Sequence, residues 1–508
     1  MPCPVRGVIR ASLSLTVGAL VAVAGAADVP IAGKSLGMGA RNARRHTFSF
    51  RSAADPAIAP PFVDPTAGAA LRLFVSSGPG QCHAEIPLPP GFWTPIRGDG
   101  AQEGWRYRDA SASAQGVRSI TIDRRKSGGQ IRVSARGAFP CTLEAAQSGP
   151  VHVELRLSAL RYCARFGGTI RANEAGMYRA ICAPAPAVCL PSGVTIASLN
   201  VLHGIFCPRE TSGCRRTDRL ELLRQFVVAR GCPDVLAFQE VFNLGGTNEN
   251  ALSLAALLTN ACPAPYVSVY HNANPFDDEM IFSRYPILAE ETHDLLGPLR
   301  NVLRVRIDHP IGALDVYATH LASGSDLATS PCEGTFGPCP PECSGAGAAT
   351  VRQCQAVQMA AVIDATHDVP APALAVGDFN EEPGSFVYDL FADHGWIDTY
   401  LQAEFPECDP MTGVGCTSGR IDDGLTDMES QALGQVERID YVWLVPRTAG
   451  SICTGDVEPP GDPDGDGVAT RLFAEEPNPF AMPCGPSPDA ICWPSDHTGV
   501  QADVNCLF

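Results

Sequence analysis

From residue 190 onward the chain contains no lysine. That part carries 15 Arg against 44 Asp and Glu, a balance of −29. Such a surface repels phosphate polymers unless cations offset it, which argues against tight duplex binding there. Long apolar runs are also lacking: nothing in the sequence reaches the ~20 apolar residues of a membrane-spanning helix. No CxxC pair and no ligand-spaced histidine accompanies Cys332, Cys339 and Cys343. That argues against a zinc site and for a loop pinned by disulfides. No internal repeat is visible.

The first residues have the form of a secretory signal. Arg6 and Arg10 precede an apolar stretch from Ala11 to Ala24, and Ala24-Gly25-Ala26 offers a cleavage site. The expectation is a signal over 1–27 and a soluble mature protein that is secreted, extracellular or periplasmic. Cysteine usage agrees, with 20 in all and 19 once Cys3 is removed. Cys207 with Cys214 and Cys408 with Cys416 are local pairs, and the odd count leaves one thiol free or paired between chains.

With 508 residues the chain holds two or three domains. Residues 28–65 read as a leader or linker with one strand at His46–Phe50. Residues 66–189 form a β-rich, sandwich-like accessory domain of unassigned role. Its short alternating runs are Leu71–Val75, Val117–Ile122, Ile131–Ser134 and Val151–Leu157. Cys82, Cys141, Cys163, Cys182 and Cys189 are its expected staples. Arg161–Gly168 reads equally as a binding loop or as a strand ending in a turn. Residues 28–189 carry 20 Lys and Arg against 11 acids. That charge is either solvated or suited to an anionic surface or polymer.

Ala183–Ala187 is a stiff Pro-rich linker. Beyond it, strands are expected at Val194–Val201, Val235–Phe238, Met280–Phe282, Val302–Ile307, Leu314–Ala318, Leu374–Val376, Tyr441–Val445 and Gly499–Val504. Helices are expected from a Thr217 cap through Arg230 and at Val351–Thr366. Hairpin neighbours mixed with helical crossovers imply two packed sheets flanked by helices. Polar residues punctuate these strands: Asn200, Glu240, His320, Asp378 and Asn380 follow strands, while Asp440 and Asp496-His497 precede them. Carboxylates at strand ends can hold a hard divalent cation, and a nearby histidine can activate water.

The ordered motifs SLNVLHG, LAFQEV, IFSRYP, YATHLASG, LAVGDFNEEPGS, RIDYVW and SDHTGV resemble the endonuclease/exonuclease/phosphatase superfamily over about residues 190–508. The resemblance implies an α+β, four-layer α/β/β/α sandwich of DNase I-like type behind the β-rich N-terminal domain. It implies a Mg²⁺-dependent (or Mn²⁺-dependent) phosphoester hydrolase. Glu240 is then the main metal ligand, with Asn200 nearby and Asp496 a second ligand. Asp378 orients or deprotonates water, and Asn380 donates to the phosphate. His497 is the acid/base partner of Asp440, and His320 faces the phosphate. Arg352 and Gln355 either brace the site or lie on ordinary helix surface.

Asp462, Asp464 and Asp466 resemble the start of a calcium loop, but position 12 falls on Phe473, so a structural Ca²⁺ and a flexible acidic loop are both open. The substrate class is open among nucleic acid, phospholipid and small phosphate esters. A nuclease, a sphingomyelinase-like phospholipase C and a non-catalytic binding protein are the alternatives. A lipid enzyme would need an apolar surface, for which Trp396, Phe473, Phe480 and Trp493 are candidates, with core packing the other reading.

Overall fold

Every second side chain of a half-buried strand turns inward, and His46–Ser52 alternates in burial at each residue. The computed structural model describes most of residues 27–504; outside the description lie 1–26, 203–214, 242–248, 272–278, 421–433, 446–467, 505–508 and some shorter stretches. The chain divides into two units near residue 191.

The first unit is built of strands. They are β1 (Ala27–Pro30), β2 (Gly33–Ala40), β3 (His46–Ser52), β4 (Ala69–Val75), β5 (His83–Pro87), β6 (Trp93–Arg97) and β7 (Gln102–Arg108). Then come β8 (Val117–Arg125), β9 (Gly128–Gly137), β10 (Val151–Leu157), β11 (Leu160–Phe166), β12 (Thr169–Glu174) and β13 (Met177–Ala183). A five-stranded sheet runs β1-β11-β10-β4-β5 and an eight-stranded one β12-β13-β2-β3-β9-β8-β7-β6. Phe48, Tyr107, Phe166 and Tyr178 lie in their common core. Residues 28–65 are therefore not a linker: β1, β2 and β3 are integral to both sheets, because Leu36, Met38, Phe48 and Phe50 alternate into that core. Ala27, expected as the last signal residue, opens β1, and the remainder of the expected signal lies outside the described residues. Arg161–Phe166 belongs to β11, which resolves that stretch as strand.

The second unit begins with β14 (Val194–Asn200), α1 (Arg216–Ala229), β15 (Val235–Gln239), α2 (Glu249–Thr259), β16 (Val267–Tyr270), β17 (Met280–Ser283), β18 (Ile287–Asp294), β19 (Asn301–His309) and β20 (Gly312–His320). It continues with α3 (Cys332–Thr335), α4 (Pro341–Gly345), α5 (Val351–Thr366), β21 (Ala373–Asp378), α6 (Phe386–Asp393), β22 (Ile397–Asp398), α7 (Thr399–Gln402), β23 (Asp440–Val445), β24 (Val468–Phe473) and β25 (Gly499–Val504). Two six-stranded mixed sheets result, β16-β17-β15-β14-β25-β24 and β18-β19-β20-β21-β23-β22. Within each, one central pair is parallel: β14 with β15, and β20 with β21. Leu223 and Phe226 of α1 and Leu254 of α2 pack on the first sheet, and Met359 of α5 and Phe391 of α6 on the second.

Thr217 does not cap α1. The helix starts at Arg216 behind a left-handed Arg215, and no side chain caps it. By contrast α5 has a reciprocal capping box between Thr350 and Gln353. Cysteines pair as 163–189, 232–262, 332–339, 343–354, 408–416 and 484–492. Cys182 is also bonded, and no described cysteine is free. The expected Cys207–Cys214 pair, Cys82, Cys141 and the calcium-like Asp462, Asp464 and Asp466 lie outside the described residues. Among the described residues no helix is long and apolar enough to cross a membrane.

Candidate active site

Register brings the polar strand ends together. Across the second sheet His320 pairs with Asp378, and Asp378 with Asp440. In the first sheet Asn200 ends β14 opposite Gln239, and Glu240 follows directly. Because β25 runs antiparallel to β14, the residues before it, Asp496 and His497, arrive at the same end. Strands β14 and β15 lie against β20, β21 and β23, so both sets of ends meet.

The Asn200 amide donates to Glu240 Oε1 at 3.0 Å and to Asp378 Oδ2 at 3.2 Å. Those two carboxylates therefore converge on one point. His320 Nε2 and His497 Nε2 approach the same Asp378 Oδ2 at 3.5 and 3.8 Å. His497 Nδ1 lies 2.9 Å from Asp440 Oδ2. Asn200, Asp378, Asp440, His320 and His497 are buried, whereas Glu240, Asn380 and Asp496 are partly open to solvent. Glu240 and Asn380 hold left-handed φ values of 59° and 54°. Such strain in non-glycine residues gathers at functional sites.

Charge divides the two histidines. Burial pulls His320 down to about 4, and the neighbouring Arg300 guanidinium adds to that. Arg300 donates to His320 Nδ1 at 3.1 Å, so the neutral ring carries its proton on Nε2, toward Asp378. For His497 burial also opposes the charged form, but Asp440, Asp496 and Asp378 outweigh it and raise the imidazole well above its ordinary value. Asp378 and Asp440 are both raised, chiefly by burial; Asp440 raises Asp378 further, while His497 offsets part of the rise at Asp440. Burial lowers Arg300 to about 10, against Glu240 and Asp378, and leaves it charged at neutral pH.

The Ser495 hydroxyl donates to the Asn200 carbonyl at 2.5 Å and has Asp496 Oδ1 as its alternative acceptor at 3.1 Å. No contact between described residues carries its carboxylate to Glu240. One N–H of the Asn380 amide is committed to the Leu321 carbonyl at 3.0 Å. Arg352 bonds the Asn380 carbonyl and pairs with Glu381, and Gln355 ties Ala322 N to Leu296 O, so both helix residues hold the loops beside the site.

Four participants were not read from the sequence. Arg300 sits against His320, and Thr417 Oγ1 accepts from the Asp440 amide. Arg420 donates to the carbonyls of Ser495 and His497 and lies 3.6 Å over the Trp493 ring, which holds the Asp496-His497 turn. Ser495 links that turn to β14. The rarity of basic residues in this part of the chain was the available signal. Trp493, Phe473 and Trp396 are buried and Phe480 packs on the core beside Phe226, so these aromatics are core and do not form a lipid-facing surface.

Hard oxygen donors from Glu240 and Asp378, with an excess of buried negative charge, fit a dication such as Mg²⁺ or Mn²⁺. Asp378, Asp440 and His497 also lie within metal-ligand reach of one another, but His497 Nδ1 already faces Asp440. The cysteine cluster of 332, 339 and 354 consists of two adjacent disulfides rather than thiolates.

Residues 197–497 match the Endonuclease/Exonuclease/phosphatase family. No curated protein matches the chain. Among solved structures, a family protein from Leptotrichia buccalis C-1013-b is 15% identical, covering 61% of this chain and 99% of that one at a TM-score of 0.39. D. rerio TDP2 humanized by 14 mutations is 15% identical over 61% and 98%, at 0.35. A mannosyl-6-phosphatase of Bacteroides thetaiotaomicron VPI-5482 is 14% identical over 61% and 98%, at 0.39.

Proposed function

The chain belongs to the endonuclease/exonuclease/phosphatase family, and from that premise we propose that residues 190–508 hydrolyse a phosphodiester with Mg²⁺ or Mn²⁺. The observation that carries this is the Asn200 amide bridging Glu240 and Asp378 while both histidines face Asp378. Glu240 would be the main holder of the cation, with Asn200 beside it and Asp496 a second ligand from the adjoining turn; when bound, the cation would neutralise phosphate charge and make water more acidic. Asp378 orients the attacking water and accepts its proton, a role that its raised basicity suits. His497, charged and aligned by Asp440, donates a proton to the leaving oxygen. His320 turns Nε2–H inward, Arg300 adds fixed positive charge, and Asn380 supplies a second amide N–H to the phosphoryl oxygens.

We read the unit as an α/β/β/α sandwich, supported by helices packed on each sheet and by β14 and β15 lying against β20 and β21. The paired cysteines support an oxidising compartment, consistent with export. Hydrolysis of bis(p-nitrophenyl) phosphate tests the proposal. Activity should require Mg²⁺, vanish in EDTA and fall at least 100-fold in His497→Ala. Turnover indifferent to both would refute it.

A further inference from the structure

The eight-stranded sheet of the first unit turns Leu36, Phe48, Ile120, Val133 and Tyr107 into the core, so the alternate residues make its opposite face. Register sets these in rows across the sheet. One row runs Arg179, Gly37, Ser49, Ser134, Ser119 and Arg108. The next runs Ser35, Arg51, Arg132, Thr121 and Arg106, and Arg136 pairs with Thr47 beside the first. Arg51, Arg108, Arg136 and Arg179 are exposed, and Arg106 and Arg132 partly so. The acids on this face are Asp123, which pairs with Arg125 and Arg132, and Glu174 near the outer edge. Arg106, Arg108, Arg136 and Arg179 make no ion pair among the described residues.

At one end of the face lies a depression of about 650 Å³. Gly37, Gly39, Thr47 and Ser49 line it with Arg136 and Arg179, and Glu174 and Met177 line it as well. Gly37 and Gly39 leave room there for close approach by a ligand backbone.

We propose that this face binds the sugar-phosphate backbone of a nucleic-acid duplex without reading its sequence. From β13 to β7 the arginines span five strand spacings, ~24 Å at ~4.8 Å each, more than a single phosphate ester occupies. The cations in these rows are guanidinium groups, whose fork matches phosphate oxygens, and the hydroxyls between them suit the same acceptors. No aromatic side chain occupies these rows, so base stacking, on which single-strand platforms rely, has no partner here. Among the described residues the large apolar side chains in these rows are Ile181 and Met177, both on β13, too few to anchor a protein in a lipid interface. The inference stands apart from the catalytic reading, because binding is measured without metal.

The test is fluorescence anisotropy of the full chain with a labelled 20-bp duplex of arbitrary sequence, in EDTA. Affinity should fall with salt with a log–log slope of about −3 to −4, the value for four unpaired arginines. The triple variant Arg108→Ser/Arg136→Ser/Arg179→Ser should bind tenfold or more weakly and flatten that slope by roughly 3. Arg136→Ser alone and Ser49→Glu, which adds an acid to the depression, should each weaken binding severalfold. They keep the test decisive if the triple variant does not fold. Duplex binding that is undetectable at 50 mM salt, or unchanged in all of these face variants, overturns the proposal. So does tighter, variant-sensitive binding to alginate or to phosphatidylserine vesicles, which would reassign the face to an acidic polysaccharide or to lipid.

Discussion

At His497 burial and charge oppose one another, and charge wins: Asp440 at 2.9 Å and the carboxylates of Asp496 and Asp378 hold the ring protonated. In the proposed role as proton donor, activity is present while the ring is charged and is lost as pH rises through its raised value. Asp440→Asn removes the largest favourable charge. Its pH–rate profile should show the alkaline limb moved to lower pH and a maximum at least 100-fold lower; an unmoved limb would remove His497 from that role. His320 is the opposite case. Its folded-state value lies near 4, below the ordinary 6.5. Its contribution to stability is therefore complete above pH 6.5 and is lost as pH falls toward 4, by up to about 3 kcal/mol. Thermal melts in EDTA between pH 7 and 4 should be less steep for His320→Gln than for the parent. The residues on both sides of this contrast were legible because each ends or opens an apolar run. Arg300 and Arg420 were not, because their partners, a ring nitrogen and a set of backbone carbonyls, come from distant segments that leave no local pattern.

At the scale of elements, β20 and β21 decide where His320 and Asp378 lie. Gly377 lets them pair closely: its φ is +144°, and a Cβ there would fall 1.9 Å from the Thr319 carbonyl oxygen. Gly377→Ala should therefore displace Asp378, cost more than about 3 kcal/mol by urea unfolding and abolish activity. Gly384, at φ +82° with nothing within 4 Å of its missing Cβ, is the matched comparison. There the strain alone should cost about 1–2 kcal/mol and spare activity. Equal costs at both positions would show that close approach does not set the register. Strands such as Val151–Leu157 and Gly499–Val504 were readable to the residue because apolar and polar side chains alternate along them. Of the strands in residues 28–65, β3 was read at His46–Phe50, but β1 and β2 were not. Gly33–Ala40 has three glycines and buries only alternate small or flexible side chains, so its strand character comes from the sheet around it.

Over the whole molecule the sequence separates charge, with +9 in residues 28–189 and −29 in residues 190–508. That asymmetry was readable at once, but its meaning was not, since only sheet register reveals that the basic residues share one face. The acidic unit gathers part of its charge at one point, where Glu240, Asp378, Asp440 and Asp496 face a neutral His320, a charged His497 and Arg300. Bringing these carboxylates together costs free energy that a bound dication recovers, so Mg²⁺ should stabilise the folded chain whether or not substrate is present. At a concentration 100 times the dissociation constant the gain is about 2.7 kcal/mol. Differential scanning fluorimetry should resolve it as a rise in melting temperature for the parent. Glu240→Gln should lose that rise, because the amide supplies no charge to the cation. Its melting temperature in EDTA should equal or exceed the parent's, since one of the crowded carboxylates is gone. A Glu240→Gln chain that still gains the full Mg²⁺ shift would mean that the cation binds elsewhere, and Glu240 would no longer serve as its main ligand.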